Sequence, residues 1–395
     1  MGQFRFLTAG ESHGKALVAI VEGMVADLPL EESYINRELK RRQQGYGRGP
    51  RMKIEEDKVE IISGVRYGRT IGSPIALLIT NRDWQNWQEQ LSISPVEKEA
   101  ETVTCPRPGH ADLAGVTKYG LKDIRPIIER ASARETAVRV AVGAVARRFL
   151  EELGVVIHSH TVAIEQHRWN MTERSPIDWQ RVEASPVRCA DARLEKVMMS
   201  AIDEAKAKGD TLGGVFEVIA SGVPVGLGSH VSWDRRLDGR IAQAIMSINA
   251  IKGVEIGAGF ALAELEGSQA HDVIEPVPSE VVSKEKRPLP WRRATNRAGG
   301  IEGGMSNGED IIVRAAIKPI ATLTDPLPSI DLRTGKAARA HYERSDVCVV
   351  PAAGVIGEAM LAIVLADACL EKFGGDNLKE TLSNYRNYLG GICQA

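Results

Sequence analysis

Residues 355–370 form the most apolar stretch of the chain, and two carboxylates inside it decide what that stretch can be. Glu358 and Asp367 would each be costly in hydrocarbon, so the segment reads as a buried helix of a globular protein and not as a membrane span. The helical pattern extends over 351–373, with Gly374 as its cap.

Other elements follow from periodicity and punctuation. A short strand opens the chain and runs into the glycine-bounded turn GESHG. Helices are expected over 29–44, 133–153, 194–208 and 237–251, the last weakened by Gly239. The helix at 133 begins with Ser132-Ala-Arg-Glu135, the pattern of a reciprocal capping box. Strands are expected over 59–65, 74–80, 213–220 and 310–320. Residues 268–300 lack periodicity and are rich in proline and charge, and loops that long are usually functional or mobile. Helices and strands mix without a regular βαβ rhythm, which points to the α+β class, and 395 residues suit one large domain or two closely packed halves.

Charge and aromatic content exclude some functions. Lys+Arg number 50 and Asp+Glu 52, so the basic excess of a dedicated nucleic-acid binder is missing. Aromatics are 5%, too few for base-stacking platforms. The five cysteines, Cys105, Cys189, Cys348, Cys369 and Cys393, form no CxxC pair, which fits reduced thiols and a cytoplasmic location.

The chemistry gathers in glycine-rich loops. In GESHG, His13 stands where backbone approaches a ligand closely, and an imidazole can work there as an acid or base. In RRQQGYGRGPRM, Arg48 and Arg51 lie on a constrained loop suited to holding phosphate or carboxylate, while Arg41 reads as a solvated charge. CPRPGHAD holds Arg107 and His110 between prolines and a glycine; a site and a simple turn are equally good readings. In ERASARETA, Arg130 and Arg134 bracket a helix start, where free N–H groups favour an anion; Arg139 reads as an outward-facing charge. NRAGGIEGGMSNGE matches no nucleotide fingerprint and is either a flexible turn or backbone lining a flat ligand. ERSDVCVVP holds Arg344 and Asp346, which form a salt bridge or orient a base. His158 and His160 share one strand face without a third ligand, so a surface pair is expected and no metal site. His167, His230, His271 and His341 stand alone. These residues define an anion-binding enzyme with two candidate acid/base histidines, without naming its reaction.

The strings TAGESHGKALVAIVEGM, RRQQGYGRGPRM, RPGHADLAGVTKYG, ERASARETAVRVAVGAVAR, GDTLGGVFE, MSINAIKGVEIGAGF, NRAGGIEGGMSNGE, KPIATL and ERSDVCVVPAAGV run in order from Thr8 to Gly354. In them the chain closely resembles the chorismate synthases. The resemblance implies a single domain over 1–395, a layered sandwich of antiparallel sheets and helices, with long loops near 40–55, 80–110 and 268–308. It implies a lyase of aromatic biosynthesis that eliminates phosphate and a C6 hydrogen from 5-enolpyruvylshikimate 3-phosphate, with reduced FMN and no net redox. It also implies a homotetramer, with NADPH as a candidate reductant of the flavin and neither nucleic acid nor membrane as partner. Residue by residue, it makes Arg42, Arg48, Arg51, Arg107 and Arg134 ligands of the substrate's phosphate and carboxylates. His13 would protonate the departing phosphate, His110 would stand beside the flavin, and Asp346 would serve proton removal. Arg130, Ala131, Ser132, Asn249, Ala250, Gly303, Lys318, Pro319, Ile320, Ala321, Thr322 and Arg344 would cradle FMN. MSINA departs from many family members just before Ala250, at a place where backbone contacts suffice. The rival reading is a flavin reductase or an isomerase acting on another small phosphate ester.

Overall fold

The computed structural model describes residues 4–49, 54–97, 100–169, 176–277 and 289–392. Strands β1 (Arg5–Ala9) and β2 (Ala16–Glu22) form a hairpin, while β3 (Val59–Ser63) and β4 (Ile75–Thr80) complete an antiparallel sheet of order β1-β2-β4-β3. Leu17, Ala19 and Val21 of β2 and Ile75, Leu77 and Ile79 of β4 alternate inward, as period-two patterning requires. The second sheet comprises β5 (Val156–Ile164), β6 (His167–Arg168), β7 (Gly214–Ser221), β8 (Ile251–Ile256) and β9 (Ile311–Ile317), in antiparallel order β8-β9-β7-β5-β6.

Helices α1 (Glu32–Gln43), α2 (Asp112–Tyr119), α3 (Arg125–Ala131), α4 (Thr136–Glu152), α5 (Ala192–Ala207), α6 (Leu237–Met246), α7 (Val350–Phe373) and α8 (Leu378–Ile392) fill and flank the space between the sheets. α1 and α4 lie under the first sheet, and α7 lies between α4 and the second sheet. The fold is therefore the expected α+β layered sandwich of antiparallel sheets.

The apolar helix α7 is the centre of the stack, buried along its whole apolar length. The two carboxylates of its apolar stretch, Glu358 and Asp367, are both satisfied. Glu358, 1% exposed, accepts from Arg41 (2.7 Å), Arg147 (2.6 Å), Arg188 (3.2 Å) and the Ser159 hydroxyl (2.6 Å). Burial would raise its carboxyl, but the three guanidiniums hold it far below the usual range. Asp367 Oδ1 accepts from the Phe4 N–H at 2.9 Å. α4 meets α7 so closely that a methyl on Gly143 would fall 2.3 Å from Ala359 Cβ.

Several sequence expectations are corrected. Arg41 is not a solvated charge: it bridges Glu38, Glu183 and Glu358. The capping box is half realised. Ser132 Oγ accepts from the Arg134 N–H, but Glu135 turns away to accept from the Thr8 hydroxyl and from Arg139. The first turn, Ala133–Glu135, is 3-10, and the α-helix starts at Thr136. Helix α6 stops at Met246, four residues before Ala250 takes a left-handed φ of 67°. Strand β9 stops at Ile317, before Pro319. Within 268–300 the described residues include a hairpin, Ile274–Pro276 with Trp291–Arg293, though 278–288 lie outside them. NRAGGIEGGMSNGE is likewise a small hairpin, Ile301–Glu302 with Met305–Ser306. Helix α8 was missed. His158 and His160 are no surface pair: His158 stacks on Trp179, His160 meets the same ring edge-on, and His160 is buried against Glu217 at 3.1 Å. Among the described residues no cluster could hold a metal ion.

Candidate active site

One cavity of about 430 Å³ opens where the first turn of α7 meets the loops after β1, α1 and β9. That size suits a small-molecule site. His13, Arg42, Arg48, Arg107, His110, Arg134 and Asp346 all line it, as do Ala131, Ser132, Asn249, Ala250, Lys318 to Thr322 and Arg344. Arg51 lies outside the described residues. Arg130 turns to the carbonyls of Thr8 and Gly10 and does not line the cavity. Gly303 sits in the turn of the Ile301–Ser306 hairpin, also away from the wall.

His13 occupies the turn between β1 and β2 and is 9% exposed. Its Nδ1 lies 3.1 Å from both carboxylate oxygens of Glu129, and its backbone N–H donates to the same group at 2.7 Å. The carboxylate accepts, so Nδ1 carries the hydrogen and Nε2 is the nitrogen left for the cavity. Trp87 stacks on the ring at a centroid distance of 4.1 Å. Burial would raise Glu129, yet the His13 hydrogen bonds bring it below its usual value.

His110 follows Gly109, whose φ of 77° only glycine adopts easily. Its Nδ1 lies 2.5 Å from Asp112 Oδ1, at the start of α2. Asp112 is fully buried and also accepts from the Arg107 N–H and Nε (3.0 and 2.9 Å). Burial opposes its ionisation, but His110 and Arg107 hold it well below the carboxylate range. Arg107 Nη2 lies 3.0 Å from the same His110 Nδ1. A nitrogen already donating to Asp112 cannot also accept, so this contact is packing and not a hydrogen bond.

The other guanidiniums are clamped too. Arg42 donates to the Thr136 hydroxyl (3.0 and 2.9 Å) and the Ala133 carbonyl (2.9 Å). Burial brings it down to about 10 despite Asp57, with Arg48 and Arg134 adding to the effect, and it stays charged at neutral pH. Arg134 is gripped by Asn81 (3.0 and 2.9 Å) and by Asp57. Arg48 pairs with Asp346 at 3.2 Å, and the Gly49 N–H donates to Asp346 at 2.5 Å. The Arg344–Asp346 salt bridge considered from sequence is thus replaced by one to Arg48. At the rim Glu343 is held at about 2, where burial is outweighed by His341 and Arg125.

On the far wall Asn249 donates to the Ala131 carbonyl at 2.9 Å, while its buried Oδ1 has no protein partner among the described residues. Ala250 holds a strained left-handed conformation beside it. An unsatisfied acceptor, a strained backbone turn, the apolar faces of Ala131 and Pro319, and the cations Lys318 and Arg344 together fit a flat, polar-edged, phosphate-bearing group such as FMN.

Sequence reasoning missed the carboxylates that hold these groups. Asp112 was readable, two residues after His110. Glu129 stands next to Arg130 in a motif that had been singled out. Asp57, Asn81 and Trp87 carry no local signal.

Comparisons with known proteins identify the family of the chain. A family described as chorismate synthase matches residues 4–370. The chorismate synthase of Moorella thermoacetica is 57% identical over 98% of this chain and 100% of its own. That of Solibacter usitatus is 55% identical over 98% of both chains, and that of Aquifex aeolicus 53% over 98% of both. A solved crystal structure of a chorismate synthase, 45% identical and covering 99% of both chains, aligns with a TM-score of 0.78. The chain belongs to the chorismate synthase family of lyases.

Proposed function

We propose that this enzyme converts 5-enolpyruvylshikimate 3-phosphate to chorismate, breaking the C3–O bond to phosphate and a C6–H bond to leave a second ring double bond. The observation that carries the reading is a single cavity in which two imidazoles, each tied to a buried carboxylate, share the wall with the guanidiniums of Arg42, Arg48, Arg107 and Arg134, drawn from three stretches of chain.

The arginines bind the substrate's phosphate and carboxylates. Each is already fixed by protein acceptors, so it meets the ester in a set orientation without ordering cost at the moment of reaction. Once ester and flavin fill the cavity they displace its water, and the attraction is then weakly screened. As the imidazolium, with one hydrogen held by Glu129 on Nδ1 and the second on Nε2, His13 delivers the Nε2 proton to the departing phosphate. Asp346 is the wall carboxylate that serves removal of the C6 proton while it holds Arg48 and Gly49.

Reduced FMN, held by Asn249, Ala250, Lys318 to Thr322 and Arg344, supplies transient electron density when bound. His110 stands at that wall and, as the imidazolium, would be a donor from Nε2 toward the flavin. Arg51, Arg130 and Gly303 remain part of the proposal on resemblance alone. Because Gly303 lies off the cavity of its own chain, any flavin contact from it belongs to a neighbouring copy in the proposed homotetramer. NADPH as reductant and a cytoplasmic location belong to the same proposal.

The test is anaerobic incubation of the protein with the shikimate ester and dithionite-reduced FMN. Phosphate and a conjugated-diene absorbance are expected in equal amounts, with no turnover on oxidised FMN. Flavin oxidation coupled to turnover, or an isomerised ester that keeps its phosphate, would replace this reading with the reductase or the isomerase.

A further inference from the structure

Two side chains hold His13, Glu129 at the start of ERASARETA and Trp87 outside every motif assigned above, and neither has a role in the reaction described so far. Glu129 reaches it from α3, touching Nδ1 and the backbone N–H. The residue before it is tied in as well, since the Ser12 N–H donates to the Glu129 carbonyl at 3.0 Å. From the other side comes Trp87, in the irregular segment that follows β4. Its indole lies nearly parallel to the imidazole, at 27° and 4.1 Å. Trp87 Nε1 donates to Asp83 at 3.3 Å, which fixes the indole's own rotation. Arg125 links the two supports: its guanidinium lies over the Trp87 ring at 5.2 Å and reaches Glu129 at 3.4 Å.

An imidazole ring has two rotations to lose, and these contacts remove both. A carboxylate on Nδ1 sets which nitrogen carries hydrogen and fixes the ring's roll. A stacked indole blocks the swing of the ring plane and covers one face from water. Neither residue lines the cavity, so neither is available to touch a substrate.

We propose that Glu129 and Trp87 are positioning residues that hold His13 with Nε2 aimed at the departing phosphate. The inference rests on His13 acting as the acid of the proposed elimination.

Three variants and one spectrum test it. In Glu129→Gln, single-turnover phosphate release falls roughly 10- to 100-fold, the usual cost of losing the partner that orients a histidine, while KM stays within about 3-fold. Trp87→Ala falls by about 10-fold, and Trp87→Phe, which keeps a flat ring, regains most of the loss. In ligand-free protein labelled with 15N-histidine, the His13 signal, identified by its loss in His13→Ala, shows a slowly exchanging Nδ1–H. Glu129→Gln makes that proton exchange fast. Wild-type rates in both Glu129→Gln and Trp87→Ala, a KM that rises in step with the loss, a Phe variant no better than Ala, or unchanged exchange in Glu129→Gln would each overturn the proposal. A His13→Ala enzyme that still turns over normally would instead remove the acid role itself, a different failure from slow His13→Ala beside normal Glu129→Gln.

Discussion

His110 meets its carboxylate two residues along the chain, whereas His13 meets its own 116 positions away. The contacts serve one purpose, to place hydrogen on Nδ1 and present Nε2, but they are made by different means. The His110 unit is local: one short run, from the proline-flanked Arg107 to the start of α2, delivers Arg107, His110 and Asp112 together, and the buried aspartate ties the first two. The His13 unit is assembled by tertiary structure, from a β-turn, a helix and a tryptophan that come together only when the sandwich closes. A local unit depends on its own loop, while an assembled one depends on the whole fold.

The comparison can be broken most sharply at the histidines. His110→Ala and His13→Ala are each expected to lower turnover by about 10²–10⁴-fold with the fold intact, the usual cost of one positioned acid or base. Measured kcat with unchanged circular dichroism checks this, and a normal rate in one variant would make the two units unequal in function. Next come the carboxylates. Asp112→Ala should cost about 3–5 kcal/mol, because it leaves the Arg107 guanidinium buried without its counter-charge. Glu129→Ala should cost about 1–3 kcal/mol, since Arg125 keeps Glu343. Urea midpoints of the two variants should differ in that order.

Acid should separate the units more gently. Both carboxyls are depressed in the folded state, so their contribution is complete above the ordinary values of 3.8 and 4.5 and is lost as pH falls toward the folded values. Asp112→Asn and Glu129→Gln should each flatten the decline of Tm below about pH 5, and Asp112→Asn should flatten it more. The smallest effect belongs to Thr322→Val, which removes one Arg107 hydrogen bond of 3.0 Å and should cost about 1 kcal/mol. A much larger loss would mean that Asp112 alone does not hold Arg107.

The same contrast explains what the sequence revealed. Residues marked by their immediate neighbours were legible: His13 and His110 beside glycines, Arg48 on its loop, and the core helix with Glu358 and Asp367 inside it. Their partners were not, because nothing in the one-dimensional pattern marks Glu129, Asp57 or Asn81 as holding a residue of the cavity wall. Arg41 and His160 were misjudged for the same reason. A charged or polar side chain reads as solvated until a distant element supplies its counterpart, as Glu358 and Glu217 do here. Helix α8 was missed because its apolar stripe is thin and its buried residues few. The capping box failed because Thr8 and Arg139 offered Glu135 other partners.

The missing side chain at Gly143 has a reach well beyond its own position. It lets α4 and α7 cross at backbone distance, and both helices continue from that crossing into the reaction chamber, α4 at Thr136 and α7 at Ala352, Ala353 and Ile356. The spacing of two chamber walls is thus set by a single hydrogen atom at a distant crossing, as a caliper is set by its pivot. One added methyl there would pry the jaws open without touching any group that meets the ester.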